Sequence, residues 1–257
     1  AWRGAAVLTI YDLIALAYPQ WAKSTNSLHY RFVVPRSVRR ANVVIVPSAV
    51  VAEEVSELLG VPEAKIRVLS LGVRDVFRKP PERREVEDFE QRYGLGRPYF
   101  AVVGNIEPKK NVRGIVRAFE IAAVQVPHDL VIAGRIGWRC REDLEAIKNS
   151  PVRNRIHVVG RPSDADLRCL YRGCTALVQW SLYEGFGLVP LEGMACGAAV
   201  IISNGGALPE VAGPGAHKVR LGEPSELAEA MVWLAEDSVA RRELVQAGLQ
   251  WSQQFSW

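Results

Sequence analysis

Two glutamates, Glu184 and Glu192, flank a glycine-rich run in W-S-L-Y-E-G-F-G-L-V-P-L-E-G-M-A-C-G, the opening of the stretch Trp180–Gly213. On one unbroken helix they would lie about 80° apart in azimuth and about 12 Å apart along the axis. Gly185 and Gly187 break such a helix, and Pro190 suits a first helical position. The spacing therefore predicts Glu184 in a loop and Glu192 in the first turn or so of a helix. A glycine-rich turn feeding a helix start presents free N–H groups and the positive end of a dipole, where a diphosphate fits. Glu192, one turn in, can accept two hydrogen bonds from a vicinal diol such as a ribose. Glu184 can reach a sugar beyond the phosphates. The plainer reading also stands: Glu192 complements the helix dipole and the glycines make an ordinary turn.

A second candidate is Gly104-Asn105-Ile106-Glu107-Pro108-Lys109-Lys110-Asn111, between a strand and a helix. Ligands bind in such loops at the carboxyl edge of a parallel sheet. Lys109 and Lys110 can neutralise a leaving diphosphate, or form a solvated basic loop. The chain has no G-x-G-x-x-G and no Walker loop, which argues against a Rossmann oxidoreductase and an NTPase. Asp164-Ala165-Asp166 has the form D-x-D, able to hold a divalent cation. Ser163-Asp164 before a helical run is an N-cap signature instead, and no metal site is expected. Cys140, Cys169, Cys174 and Cys196 make no Cys-x-x-Cys pair and have no zinc-like histidine spacing, so buried, reduced thiols are expected.

The elements that must position these residues alternate. Continuous apolar runs predict strands at Tyr99–Val103, Leu130–Ala133, Arg155–Val159, Ala176–Gln179, Ala199–Ile202 and His217–Arg220. Such runs mark strands covered on both faces. Amphipathic stretches at Val112–Ala123, Arg141–Lys148, Ala165–Arg172, Pro190–Cys196, Ser225–Glu236 and Ser238–Gln254 predict helices between and after them. The N-terminal third repeats the theme: strands Ala6–Ile10, Val43–Val46 and Ile66–Leu69, and helices Leu28–Arg40, kinked near Pro35, and Ala49–Leu59. The boundary falls in the Pro- and charge-rich Arg78–Arg97, where a helix Glu82–Tyr93 opens the second domain. The fold class is α/β: a partial domain over 1–80 and a Rossmann-like parallel-sheet domain over 81–257.

With 49% hydrophobic residues the chain has ample apolar material for a core, which excludes a disordered class. Its first residues lack the pattern of a signal peptide, and no run is long enough to span a bilayer. A net charge of +4 is too mild to argue for nucleic acid. The distribution is uneven: residues 1–80 carry 11 Lys/Arg against 6 Asp/Glu, the remainder 21 against 22. The basic third faces either an anionic partner such as a membrane surface or plain solvent around Arg36, Arg39 and Arg40.

Taken together, G-N-I-E-P-K-K-N, A-G-R-I-G-W, Y-E-G-F-G-L-V-P-L-E-G-M-A-C-G and S-N-G-G-A-L-P-E-V-A-G resemble glycosyltransferase family 4, the group 1 glycosyltransferases of GT-B fold with an E-x7-E element. T-I-Y-D-L, R-S-V-R-R-A-N-V-V-I-V-P-S and L-L-G-V-P-E-A-K-I-R-V-L-S-L-G-V resemble the second half of that family's acceptor domain. The resemblance implies a retaining hexosyltransferase with a nucleotide-diphosphate sugar, GDP- or UDP-linked, as co-substrate and no cofactor or metal. It implies that Lys110 binds the donor phosphates, beside Gly104 and Asn105. Gly185, Phe186, Gly187 and Leu188 form the phosphate and sugar turn, Glu184 contacts the transferred sugar, and Glu192 holds the ribose. Arg161 and Pro162 wall the base pocket. Lys110 and Glu184 are thus the catalytic candidates, with Glu184 a positioning group rather than a nucleophile.

The E-P-K-K-N loop is most similar to mannosyltransferase-like members, and the acceptor implied is a glycan or lipid carrier at the inner face of a membrane, approached from the cytoplasm. Tyr11 stands where the family often has His, and Asn105 where many members have Arg. The chain is expected to be clipped at both ends relative to the family. The alternative is therefore a nucleotide-sugar-binding fragment without turnover.

Overall fold

The computed structural model describes residues 4–22 and 24–257 (side chains 24–28 excepted), whose strands form two parallel sheets. The first contains β1 (Val7–Thr9), β2 (Val43–Val46) and β3 (Ile66–Val68), in that order. Helices α1 (Ile14–Ala17), α2 (Ser24–Arg40) and α3 (Ala49–Leu59) lie between them. α2 starts before the expected Leu28 and carries Pro35 within it. α1 was not expected, because four residues give no helical periodicity. Arg3 and Lys23, two of the surplus basic residues, lie outside the described residues.

The second sheet contains β4 (Tyr99–Val103), β5 (Asp129–Ala133), β6 (Ile156–Gly160), β7 (Ala176–Gln179), β8 (Val200–Ser203) and β9 (His217–Val219). Its order is β6-β5-β4-β7-β8-β9, all parallel. The helices are α4 (Arg83–Arg92), α5 (Val112–Ala122), α6 (Arg141–Asn149), α7 (Asp164–Gly173), α8 (Leu188–Ala195), α9 (Leu208–Ala212), α10 (Pro224–Glu236) and α11 (Ser238–Ser252).

β4 shows why this sequence makes a covered strand. All five residues are buried, and they alternate between two cores. Phe100 and Val102 pack with Ile115 and Phe119 of α5 and Met231 of α10. Tyr99, Ala101 and Val103 pack with Phe89 of α4, Leu170 of α7 and Leu191 of α8. Each fully buried large side chain contributes roughly 1.5–3 kcal/mol. The four cysteines are buried and unpaired, as expected.

Strand order reverses between β4 and β7. There the following connections diverge to opposite faces and leave a crevice at the carboxyl ends. The loops carrying both candidate motifs open from this point. Gly134 lets the loops after β4 and β5 meet: a Cβ there would stand 1.9 Å from the Gly104 carbonyl oxygen.

The two sheets are tied together at several points. The Ser48 hydroxyl donates to the Gly185 carbonyl at 2.8 Å. The N–H groups of Ala49 and Val50, at the start of α3, donate to the Glu210 carboxylate. A helix start in the first unit thus takes its anionic cap from the second. Tyr183 Oη donates to Glu54 Oε2 at 2.7 Å, and Trp138 Nε1 to the Trp21 carbonyl at 2.8 Å. The chain end returns to the linker, where the Val73 N–H donates to the Phe255 carbonyl at 2.8 Å.

Candidate active site

Glu184 sits in the loop after β7 and is almost fully buried. Its Oε1 accepts from Lys110 Nζ at 2.6 Å, Gln179 Nε2 at 2.9 Å and Ser181 Oγ at 3.0 Å. Among the described residues its Oε2 faces only Lys109 Nζ, at 3.4 Å, and retains acceptor capacity. Burial alone would push this carboxyl up, but Lys110 and Lys109 outweigh it and hold the acid at about 2. Lys109 is partly buried, and Glu184, Glu107 and Asp12 overcome that burial to raise its affinity for a proton.

The two loops are knitted together by backbone. The Leu182 N–H donates to the Lys109 carbonyl at 2.7 Å, and Asn111 Nδ2 to the Trp180 carbonyl at 3.3 Å. Lys110 lies over Gly104, where a Cβ would come 3.0 Å from its Cε. Gly206 likewise admits Glu184: a Cβ there would stand 2.3 Å from the Glu184 carbonyl oxygen, which accepts from the Ala207 N–H at 2.8 Å.

One expectation is corrected. α8 begins at Leu188, so Pro190 is its third residue and Glu192 its fifth, in the second turn. The reason is Gly187, whose φ of 119° completes the turn two residues earlier than Pro190 implied. Proline fits anywhere in a first turn, because those N–H groups lack intrahelical partners. Glu192 consequently sits deeper than expected. Its Oε2 accepts from Tyr171 Oη at 3.2 Å, and its Oε1 is 4.0 Å from Arg74 Nη2. Burial pushes its carboxyl up to about 7, against the pull of Arg74 and Tyr171.

Gly104, Asn105, Arg161 and Pro162 line a cleft of about 850 Å³, together with Arg74 and Arg135. Phe186 is buried in the core against Phe255, so its side chain supports the turn from behind. Gly185 is pressed against the first unit: a Cβ there would stand 2.6 Å from the Tyr11 carbonyl oxygen. Thus Lys110, Glu184 and the Gly185–Leu188 turn converge, and Arg74 links Glu192 to the cleft.

Asp164 and Asp166 do not act as a pair. Ser163 caps α7, its Oγ accepting from the Asp166 N–H at 3.1 Å. Asp164 takes a bidentate bond from Arg74 at 2.8 and 2.9 Å, while Asp166 pairs with Arg92 at 3.0 Å. Sequence reasoning missed Arg74, Gln179, Ser181 and Tyr171. Of these, Gln179 and Ser181 had a local signal, two polar side chains just before Glu184 at the end of an apolar strand.

Residues 83–251 match the family described as Glycosyl transferases group 1. The chain belongs to the group 1 glycosyltransferases. It is 27% identical over 257 residues to the O-antigen chain mannosyltransferase B of Escherichia coli, covering 98% of this chain and 67% of that protein. It is 30% identical over 223 residues to the serotype-specific mannosyltransferase WbdA of Escherichia coli, covering 85% of this chain and 27% of that one. Among solved structures, HepE of Anabaena, determined with UDP and glucose, superposes with a TM-score of 0.84 at 20% identity, over 99% of this chain and 68% of its own. Sucrose-phosphate synthase of Thermosynechococcus elongatus superposes at 0.77 with 25% identity, over 98% and 64%. The expected GT-B architecture therefore holds for this transferase.

Proposed function

We propose that this glycosyltransferase moves a hexose, mannose first, with retention from a nucleoside-diphosphate sugar to a hydroxyl of a glycan or lipid-linked acceptor. GDP-mannose is the donor proposed ahead of UDP-glucose and its relatives. The observation that carries the reading is the Lys109–Glu184–Lys110 cluster, with Glu184 buried between two partly buried lysines, beside the Gly187 turn and the start of α8. The mannosyltransferases of Escherichia coli support the sugar.

Breaking the anomeric bond develops positive charge on the sugar and negative charge on the leaving phosphate. Lys110 and the free N–H groups of Leu188 and Val189 meet the phosphate, where preorganised charge stabilises the transition state most. The protein supplies this charge from lysines and a helix end, so transfer proceeds without a metal. Glu184, held at about 2, is too weak a base to take the acceptor proton. Its Oε2, which holds only the longer contact to Lys109, positions a sugar hydroxyl, and the donor phosphate assists deprotonation on the same face. Arg74, Arg161 and Pro162 wall the cleft for the base, and Glu192 holds the ribose.

Calorimetry with GDP, UDP and ADP on the chain and on Glu192→Ala tests the donor site. Selective binding of one base is expected, weakened about tenfold to a hundredfold by the substitution, the worth of hydrogen bonds to a charged group. Binding of none of the three would remove the donor-site reading.

The cytoplasmic, peripheral placement is part of the same proposal. No helix among the described residues is long and apolar enough to cross a membrane. α2 exposes Phe32 and Val33 beside Arg36, Arg39 and Arg40, the composition of an interfacial helix. Sedimentation with anionic vesicles should be salt-sensitive and fall in Arg36→Glu/Arg40→Glu. Equal recovery with neutral vesicles would sink it.

A further inference from the structure

The amino edge of the six-stranded sheet, opposite the loops of Lys110 and Glu184, holds another cleft, of about 700 Å³, within the range that holds small ligands. Thr175 and Ala199, the residues just before β7 and β8, border it, and α11 forms a wall. Three guanidinium groups line it: Arg172 at the end of α7, and Arg241 and Arg242 on α11. Glu243 is the one acid among the described lining residues. Arg172 and Arg242 are exposed, and their side chains make no hydrogen bond or ion pair with any described residue. Arg241 donates through Nη1 to the carbonyls of Leu234 and Ala235 at the end of α10, which fixes its guanidinium and leaves Nε and Nη2 without described partners.

Gly197 makes room for this cluster. Its φ is 81°, and a Cβ there would stand 2.7 Å from Arg172 Nη1 and 4.0 Å from Val245 Cγ1 of α11. The Arg172 guanidinium is thereby laid close to the helix that carries Arg241 and Arg242. The local field is positive. Burial, then the charges of Arg241 and Arg155, push His128 down to about 4, and His128 Nε2 lies 3.0 Å from Thr175 Oγ1 at the cleft. Three like charges in one concavity repel, and an anion that joins them is drawn in.

The chemistry selects the anion. Guanidinium forks match phosphoryl oxygens in bidentate, charge-assisted bonds. The cleft is larger than a phosphate, so the ligand carries a further body. None of the described lining residues is aromatic, so a nucleobase has nothing to stack on. Thr175, Gln246 and Glu243 instead offer a hydroxyl, an amide and a carboxylate to sugar hydroxyls. We propose that this cleft binds a phosphorylated sugar, apart from the donor site, with Arg172 and Arg242 holding the phosphate and Arg241 as a fixed third charge.

The test uses the full chain, with mannose 6-phosphate, mannose, inorganic phosphate and AMP as probes in calorimetry and amide NMR. Mannose 6-phosphate should bind more tightly than the other three and move the Gly197 and Thr175 amides. Its affinity should fall about tenfold in Arg172→Ala and in Arg242→Ala, the scale of one lost charge-assisted bond, and partly return in Arg242→Lys. GDP affinity should be the same in all of these chains, so failure here is separable from failure of the donor reading. Mannose 6-phosphate binding no tighter than inorganic phosphate, or indifferent to both alanine variants, would overturn the inference. Displacement by GDP with shifts at Gly104 in place of Gly197 would move the ligand to the donor cleft and overturn it as well. Tighter, arginine-dependent binding of AMP would overturn it in favour of a nucleotide.

Discussion

Lys110→Ala is expected to lower sugar transfer by about 10²–10³-fold, the usual cost of removing one preorganised stabilising group. The same substitution should weaken nucleotide diphosphate binding, since in the proposed reaction Lys110 faces the phosphates. Glu184→Gln separates the two roles. It keeps the shape of the side chain but removes the charge that now occupies both lysines, at 2.6 and 3.4 Å. Lys109 and Lys110 are then freed for the phosphates, so nucleotide affinity holds or rises while transfer still collapses. The variant leaves two close, largely buried cations without the carboxylate that bridges them, with only Glu107 and Asp12 acting on Lys109, and is expected to be less stable by up to about 3 kcal/mol. Single-turnover rates with calorimetry check both variants. Transfer at the unaltered rate in Glu184→Gln would remove Glu184 from the reacting site. Parallel loss of nucleotide binding in both would make the cluster a purely structural ion pair.

How much of this was legible in the sequence differs by distance along the chain. β4 and its following loop were readable because an apolar run and a glycine stand side by side. The parallel α/β class followed from the alternation of elements, whereas the strand order, and with it the crevice between β4 and β7, is set by the crossovers seen in the structure. The charge pairing did not. Lys110 and Glu184 are 74 positions apart, and no local pattern states that they neutralise each other. Arg74 lies in the linker with Asp75 as its immediate acidic neighbour, yet it pairs with Asp164, 90 positions away. Tyr171 reads as a core residue of α7, which it is, and only the approach of α8 gives its hydroxyl to Glu192. Pro190 misled because proline reports a first turn and not a single position in it. Glu210 read as part of a family motif, and its role at the start of α3 needed the second unit in place.

Glu192 carries the clearest pH dependence. Burial raises its carboxyl from an ordinary 4.5 to about 7, so the folded chain binds this proton more tightly than the unfolded one. By linkage, the stabilisation is fully present below about pH 4.5 and is lost as the pH rises to about 7, by up to roughly 3 kcal/mol. Glu192→Gln should flatten that part of a stability-versus-pH curve and be the more stable chain at pH 8. On the proposed reading, in which Glu192 holds the ribose, the nucleotide has the opposite preference. A ribose diol donates two hydrogen bonds, which the carboxylate accepts and the protonated acid accepts poorly. Affinity is therefore expected to climb with pH up to about 7 and level off above it. At pH 6, binding should release about one proton, read from calorimetry in buffers of different ionisation enthalpy. Glu192→Gln should release none at this step. Proton release equal in the two chains would place the ribose elsewhere, and leave Glu192 as a buried acid held between Tyr171 and Arg74.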